Sequence, residues 1–240
     1  MNKISVVIMN WLRPEVLRDD ILPAMVKYDS VDEIIISHGR EDTIFDFEHT
    51  KVVHRNDSSL NEPYGLCLRF LAASDAKNDT ILIMDDDGYP SEYVIEKLLK
   101  EHTKNPNRLV GVYGQGTKNG NYNYHDRFGN VPLVLTKCML IKKELCYQFF
   151  KHAPVIEELI RKGKPYWNGE DIFMAAVSRY YYGKENYAVH GLIPHMIDPI
   201  GGRENKNPRA ISSWRGHRWF RNDVLHFCKD YFKIWEGMLR

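Results

Sequence analysis

The sequence predicts an α/β fold: a mixed, mostly parallel sheet, doubly wound, with helices on both faces. Three observations predict it. The first half alternates short β-branched apolar runs with stretches of helical character. Those runs are apolar almost throughout, as strands buried on both faces of a parallel sheet are. The most acidic run, Asp85-Asp86-Asp87, directly follows one of them, at the strand end where open α/β sheets bind ligands.

Taken in order, Ile4 to Met9 reads as the first buried strand, and Pro14 suits the first turn of a helix running to about Tyr28. Glu33 to Ser37 is a second strand and Lys51 to His54 a shorter third. Residues 63–76 read as a helix, and Thr80 to Met84 as a fourth strand that ends in Asp85. Ser91 is placed to cap a helix to about Thr103, with Val94, Ile95, Leu98 and Leu99 on its apolar face. The second half changes character. Leu109 to Tyr113 is a strand, and Lys118-Asn119-Gly120-Asn121 marks a hairpin turn. Strands follow over Val131 to Thr136 and Met139 to Lys142, so an antiparallel portion joins the sheet. A helix from about Ile172 to Tyr181 comes after the loop Trp167-Asn168-Gly169-Glu170-Asp171. Residues 198–217, rich in Gly, Arg, Asn and Ser, read as a flexible segment. A closing amphipathic helix from about Trp219 to Leu239 turns Phe220, Leu225, Phe232 and Trp235 inward.

At 240 residues the chain fits one domain, or one domain plus a small subdomain, with a buried core. With 33 basic and 32 acidic side chains, no global field favours nucleic acid or an anionic membrane. The aromatic share of 12% points weakly to a surface that stacks on ring-shaped ligands. The cysteines Cys67, Cys138, Cys146 and Cys228 are scattered without a C-x-x-C pair, so free buried thiols are expected. Strand-like sequence begins at Ile4 and no run of about 18 apolar residues occurs, so the expectation is a soluble, cytoplasmic protein without a membrane span.

The chemistry centres on Asp85, Asp86 and Asp87. Adjacent carboxylates repel, and a fold keeps them together when a cation or basic groups balance them. Hard carboxylate oxygens suit Mn²⁺ or Mg²⁺, which keep open positions for phosphate oxygens and water. The bland alternative is an acidic loop that caps the helix after Ser91. No G-x-G-x-x-G follows the first strand and no P-loop occurs, so a nucleotide would be held through metal and side chains.

Over nearly its whole length the chain resembles the exostosin-like glycosyltransferases, the α-1,4-N-acetylhexosaminyltransferase domains with a GT-A fold. The resemblance runs through the segment Ile4 to Arg13, Ser59-Leu60-Asn61 with Arg69-Phe70, and Ile83-Met84-Asp85-Asp86-Asp87. It continues through Leu109-Val110-Gly111, Val134-Leu135-Thr136 and Asn168-Gly169-Glu170-Asp171-Ile172 to His217-Arg218-Trp219-Phe220-Arg221. It implies a GT-A domain over 1–240, with a nucleotide-binding half over 1–113 and an acceptor half over 114–240. Asp87 is then the main metal ligand, with Asp85 and Asp86 holding ribose or supporting the metal. Asn10 and Arg13 face the nucleotide; Asn61, Arg69 and Asn168 belong to the nucleotide-sugar site. Asp171, beside Glu170, lies next to the transferred sugar and acceptor, and Arg221 steadies the departing diphosphate, Arg218 being the alternative. Glu170 and Asp171 also open a helix, where carboxylates are favoured without any catalytic role.

The implied reaction is transfer from a UDP-sugar to a glycan or other hydroxyl acceptor, dependent on Mn²⁺ or Mg²⁺ and retaining. A sugar-phosphate nucleotidyltransferase and a non-catalytic carbohydrate-binding protein of the same fold are the alternatives. Secreted members carry a cysteine before the Glu-Asp pair and another after the late arginine; here Gly169 and, approximately, Val224 stand there. His190 and His195 follow the core helix, where some GT-A enzymes complete the metal site with a histidine. Residues 201–221, with Gly201-Gly202 and Arg203, Arg209 and Arg215, are expected to form a lid.

Overall fold

The computed structural model describes residues 3–163, 168–201 and 216–235. Its strands are β1 (Ile4–Asn10), β2 (Val31–His38), β3 (Val52–Asn56), β4 (Thr80–Met84), β5 (Tyr89–Pro90) and β6 (Val110–Gly111). They continue as β7 (Gly114–Lys118), β8 (Asn121–Arg127), β9 (Gly129–Val131), β10 (Leu133–Val134), β11 (Cys138–Lys142), β12 (Asn186–Ala188) and β13 (Met196–Ile197). The helices are α1 (Pro14–Val16), α2 (Leu22–Met25), α3 (Asn61–Tyr64), α4 (Leu68–Ser74), α5 (Glu92–Lys104), α6 (Lys143–Gly163), α7 (Glu170–Tyr182) and α8 (His217–Phe232).

One eight-stranded sheet runs in the order β3-β2-β1-β4-β11-β6-β12-β9. Its β3-β2-β1-β4 part is parallel, and β11 enters antiparallel to both β4 and β6. The mixed, mostly parallel sheet flanked by helices is the architecture the sequence predicts. The continuous apolar runs serve both faces at once. Ile4, Val6 and Ile8 of β1 pack in the layer of Leu17, Leu22 and α5, while Val7 turns to the opposite layer, formed with α4, α6, α7 and α8. Alternation of side chains along a strand requires this division.

Several elements differ from expectation, each for a local reason. The helix after Pro14 is interrupted by a wide-turned stretch at Leu17–Ile21 and ends at Met25. The helix expected over 63–76 is split between α3 and α4 at Gly65, whose φ of +48° an L side chain rarely adopts. Ser91 precedes α5, yet its side chain makes no cap hydrogen bond. Instead its N–H donates to the His195 carbonyl at 3.4 Å, beside the pairing of β5 with β13. The helix α6 was not anticipated; Pro154 lies inside it. The hairpin turn does form: Asn119 and Gly120 both take positive φ (52° and 76°), and β7 pairs with β8 around them.

The closing helix begins at His217 and ends at Phe232, with Trp235 buried beyond it. Residues 202–215 of the expected lid lie outside the described residues. All four cysteines are free and buried, and no described helix is long and apolar enough to cross a membrane.

Candidate active site

β1 and β4 run parallel and in register as far as Ile8 and Met84. Their carboxyl ends therefore open side by side, which brings the loop after Asn10 against Asp85, Asp86 and Asp87. A cavity of about 250 Å³ lies there, bounded on one side by this loop pair and on the other by β8, α7 and α8.

On the strand-end wall, Asp86 is tied down. One oxygen accepts the N–H groups of Trp11 and Leu12 at 3.0 and 3.1 Å, and the other meets Arg13 Nη1 at 2.6 Å. Asp85 meets Arg69 Nη1 at 2.5 Å, and Arg69 Nε lies 3.9 Å from Glu170. Asp87 faces Lys137, whose Nζ is 3.5 Å from Oδ2. Three aspartates in a row are held together by three cations brought in from elsewhere in the fold.

The opposite wall starts at Gly169, which precedes α7 with a φ of +108°. That turn sends Asn168, Glu170 and Asp171 toward one cavity. Arg221 Nη2 donates to Asp171 Oδ2 at 2.7 Å and to the Tyr122 hydroxyl at 2.9 Å, and Nη1 reaches Asn168 Oδ1 at 3.4 Å. Its guanidinium carbon lies 4.4 Å from the centre of the Tyr122 ring, and Tyr122 in turn donates to Gln115. Asp171 Oδ1 accepts the N–H of Ile172 at 2.8 Å. His217, four residues before Arg221 and so on the same helix face, accepts from Asn168 Nδ2 at 2.8 Å. Burial, and then the charge of Arg221, push the His217 imidazole down to about 4, so it is neutral at ordinary pH.

Among the described residues, Glu170 is the fifth carboxylate of the cleft, and four cations there each face one of the others. Its carboxyl is raised to about 7, first by burial and then by Asp171 and Asp85, against the pull of Arg69 and Arg221. Thr136 donates to it at 3.3 Å.

The cleft thus brings together Arg13, Arg69, Asp85, Asp86, Asp87, Asn168, Glu170, Asp171 and Arg221. Three expected members lie elsewhere. Asn10 is wholly buried and donates its amide to the Thr43 carbonyl and to His38 Nδ1, which fixes the first loop from beneath. Asn61 lines a separate polar hollow with Gly39, Arg40 and Asn56. Arg218 is exposed and stacks over Tyr124 at 4.7 Å, one turn from the cleft that Arg221 enters. His195 packs edge-on to Tyr93 and His190 to Phe128, both apart from the cleft lining.

Tyr122, Tyr124, Gln115 and Lys137 line the cleft and were not anticipated. The period-two spacing of Tyr122 and Tyr124 was the available signal for the hairpin pair, whose rings meet at 4.6 Å. A Cβ on Gly169 would stand 3.1 Å from Val224 Cγ2, so these two positions face each other.

Among the described residues no group of three His, Cys, Asp or Glu side chains is arranged to hold a metal ion. Residues 4–232 match the model of the glycosyl transferase family 64 domain. No protein of curated function matches the chain. Among solved structures, the 2-C-methyl-D-erythritol 4-phosphate cytidylyltransferase of Francisella tularensis is similar at 13% identity and a TM-score of 0.44, covering 78% of this chain and 90% of its own.

Proposed function

The chain belongs to glycosyl transferase family 64, and from that premise we propose that it moves a hexosyl or N-acetylhexosaminyl group from a UDP-sugar to a hydroxyl of a glycan or similar acceptor, with a divalent cation and with retention at the anomeric carbon. The observation that carries this reading is the convergence of the aspartate triplet and the Asp171–Arg221 pair on one cavity.

The donor set suits a hard ion. Asp87 and Asp85 would hold Mn²⁺ or Mg²⁺ together with donor phosphates and water, since the described residues alone bring too few ligands to enclose one. Such an ion supplies charge neutralisation for the departing diphosphate.

The chain's own groups divide the remaining work. Asp86 fixes the loop of Trp11, Leu12 and Arg13, which forms the strand-end wall of the donor site. Arg69, buried under Asp85, holds that carboxylate at the cavity edge and adds positive charge to the diphosphate end. Asp171, fixed through both oxygens, orients the acceptor hydroxyl or stabilises positive charge growing on the sugar ring. Arg221 holds Asp171 in that position and brings a second cation to the diphosphate.

The test is incubation with a panel of sugar nucleotides, with Mn²⁺ or with EDTA, scored for nucleotide release and for product configuration by NMR. Release of UDP in Mn²⁺ alone, with an α-linked product from an α-linked donor, is the expected result. Transfer from GDP-sugars alone, equal release in EDTA, or an inverted product each removes the corresponding part of the reading.

A further inference from the structure

Apart from the carboxylates of the cleft, a row of hydrogen bonds crosses the ends of β1, β2 and β3. Asn10 is the register partner of His38, and His54 lies two residues before Asn56, the partner of His38 on β3. The three side chains therefore share one face of the sheet. Buried Asn10 donates from Nδ2 to the Thr43 carbonyl at 2.6 Å and to His38 Nδ1 at 2.8 Å. His38 Nε2 lies 2.9 Å from His54 Nδ1, and His54 Nε2 lies 3.2 Å from the Phe47 carbonyl. The two ring planes are 9° apart with centres at 5.2 Å, and Phe45 stands edge-on to both.

The ends of the row fix every proton in it. A carbonyl only accepts, so His54 carries its proton on Nε2 and, when neutral, accepts on Nδ1. His38 must then donate from Nε2 and accept on Nδ1, where the Asn10 amide nitrogen donates. Turning that amide over would set its oxygen against the Thr43 carbonyl, so its orientation is fixed as well. Each bond holds one proton, and both nitrogens of each ring are engaged. A further proton can enter only a bond that already has one, and it breaks that bond.

Thr43 and Phe47 belong to the loop between β2 and β3, and that loop reaches the cleft at its first residue. Gly39 N–H donates to the Asn10 carbonyl at 3.1 Å, and a Cβ on Gly39 would stand 3.1 Å from the Trp11 ring. Trp11 lines the cleft, with its own N–H on Asp86. We infer that Asn10, His38 and His54 are positioning residues: their neutral row clamps the loop over 39–51 against Trp11, and a proton on either histidine opens the clamp and loosens that wall of the cleft. The surroundings favour the neutral row. His38 is 1% exposed, and burial followed by the charge of His54 pushes its imidazole down to about 4. The opposing pull is that of Asp57, which is itself bonded to Ser37 and Arg55. The remaining neighbours of the two rings, Asn10, Phe45 and the Phe47 carbonyl, are uncharged. An opened histidine takes its proton near 6.5, so the closed clamp is favoured above that value and gives way as pH falls toward about 4.

Hydrogen exchange needs no sugar donor and so tests the clamp apart from the proposed reaction. Exchange of residues 39–47 and 9–13 is compared at about pH 7.5 and about pH 5, corrected for intrinsic rates, in the unmodified protein and in the double variant His38→Gln, His54→Gln. Glutamine accepts through its oxygen and donates through its nitrogen, so the row survives without a titrating group. In the unmodified protein both segments should exchange faster at about pH 5, by about thirtyfold for one proton taken up near 6.5 when open and at about 4 when closed. The double variant should change by less than about threefold. Nitrogen resonances of the unmodified protein at about pH 7.5 should show both rings neutral with the proton on Nε2, and they decide alone if a thermal melt shows the double variant unfolded. Unchanged exchange in the unmodified protein, an equal rise in the double variant, or a proton on Nδ1 of either ring overturns the clamp. A rise confined to 39–47 overturns the positioning of Trp11.

Discussion

The two walls of the cleft contain the same chemical components, carboxylates matched to cations, but they are held in different ways. The strand-end wall hangs on the parallel register of β1 and β4, and its central aspartate, Asp86, is fixed mainly through backbone N–H groups of one loop. The helix wall is assembled from α7, α8 and the β7–β8 hairpin, and it depends on one side chain, Arg221, that touches Asp171, Asn168 and Tyr122. Substitutions on the first wall should loosen a loop and weaken ligand binding. Those on the second should strike stability and turnover directly, because its central pair is almost wholly buried.

The largest effect is therefore expected at Arg221. Arg221→Ala leaves Asp171 buried without its cation, which costs about 3–5 kcal/mol of stability for a broken buried pair. Urea denaturation measures it; a loss below about 1 kcal/mol would make the helix wall no more dependent on its ion pair than a surface would be. Asp171→Asn comes next. Asparagine keeps an oxygen for Arg221, so the fold survives, but turnover should fall by about a hundredfold or more while UDP affinity is nearly unchanged. Kinetics beside calorimetry decide it, and retention of most of the transfer rate would remove Asp171 from the chemistry. On the strand-end wall, Asp86→Asn exchanges charge-assisted bonds for neutral ones, at about 1.5–3 kcal/mol for bonds to a charged group. It should appear chiefly as UDP binding weakened by roughly tenfold, with turnover at saturation changed less. The reverse split would show that both walls act in the same way.

The difference between the walls also decided what could be read from the sequence. β1, β2 and β4 are continuous apolar runs, and a triplet of aspartates after the last of them marks a strand end whatever the rest of the chain does. The place of the aspartate triplet was legible for that reason, whereas Arg13 and Arg69 came from the family resemblance. Asn10 was misleading because a polar residue at a strand end can serve the loop from below as readily as a ligand from above. Asn61 lies on α3, and the break at Gly65 sends that helix to a different hollow. On the helix wall, Asp171 and Arg221 came from resemblance, since nothing local links two residues fifty positions apart. Tyr122 is ninety-nine positions from its arginine, and only the folded hairpin brings it there. Lys137 follows an apolar run with no acidic neighbour in sequence, so its pairing with Asp87 depends on β11 lying against β4.

Glu170 offers a subtler test of the helix wall. Its carboxyl stands at about 7 in the folded protein against an ordinary 4.5, so the folded state holds the extra proton between these values. Stability from this group is fully present below about 4.5 and is lost as pH rises through about 7. Glu170→Gln should therefore flatten the fall in stability across that window, and the variant should gain relative to the unmodified protein at pH 8. Parallel stability curves for the two proteins would mean that the wall carries the Glu170 charge without penalty.

The smallest effect is expected at Arg218, three residues before Arg221. Both arginines lie near the start of α8 and both stack on a hairpin tyrosine, Arg218 at 4.7 Å from Tyr124 and Arg221 at 4.4 Å from Tyr122. What separates them is burial and a carboxylate. Arg221 is 5% exposed and bound to Asp171, whereas Arg218 lies on the exposed side of the helix. An exposed cation–π contact is worth about 0.5–1 kcal/mol, so Arg218→Ala should lower stability by no more than that and change turnover by less than about threefold. The comparison is internal, with the same residue type, the same helix and the same substitution in both variants. If Arg218→Ala reduced turnover as far as Arg221→Ala, the diphosphate and acceptor would have to meet α8 one turn nearer its start. The helix wall would then extend outward past Tyr124, and the buried Arg221 network would serve as its foundation and not as its working face.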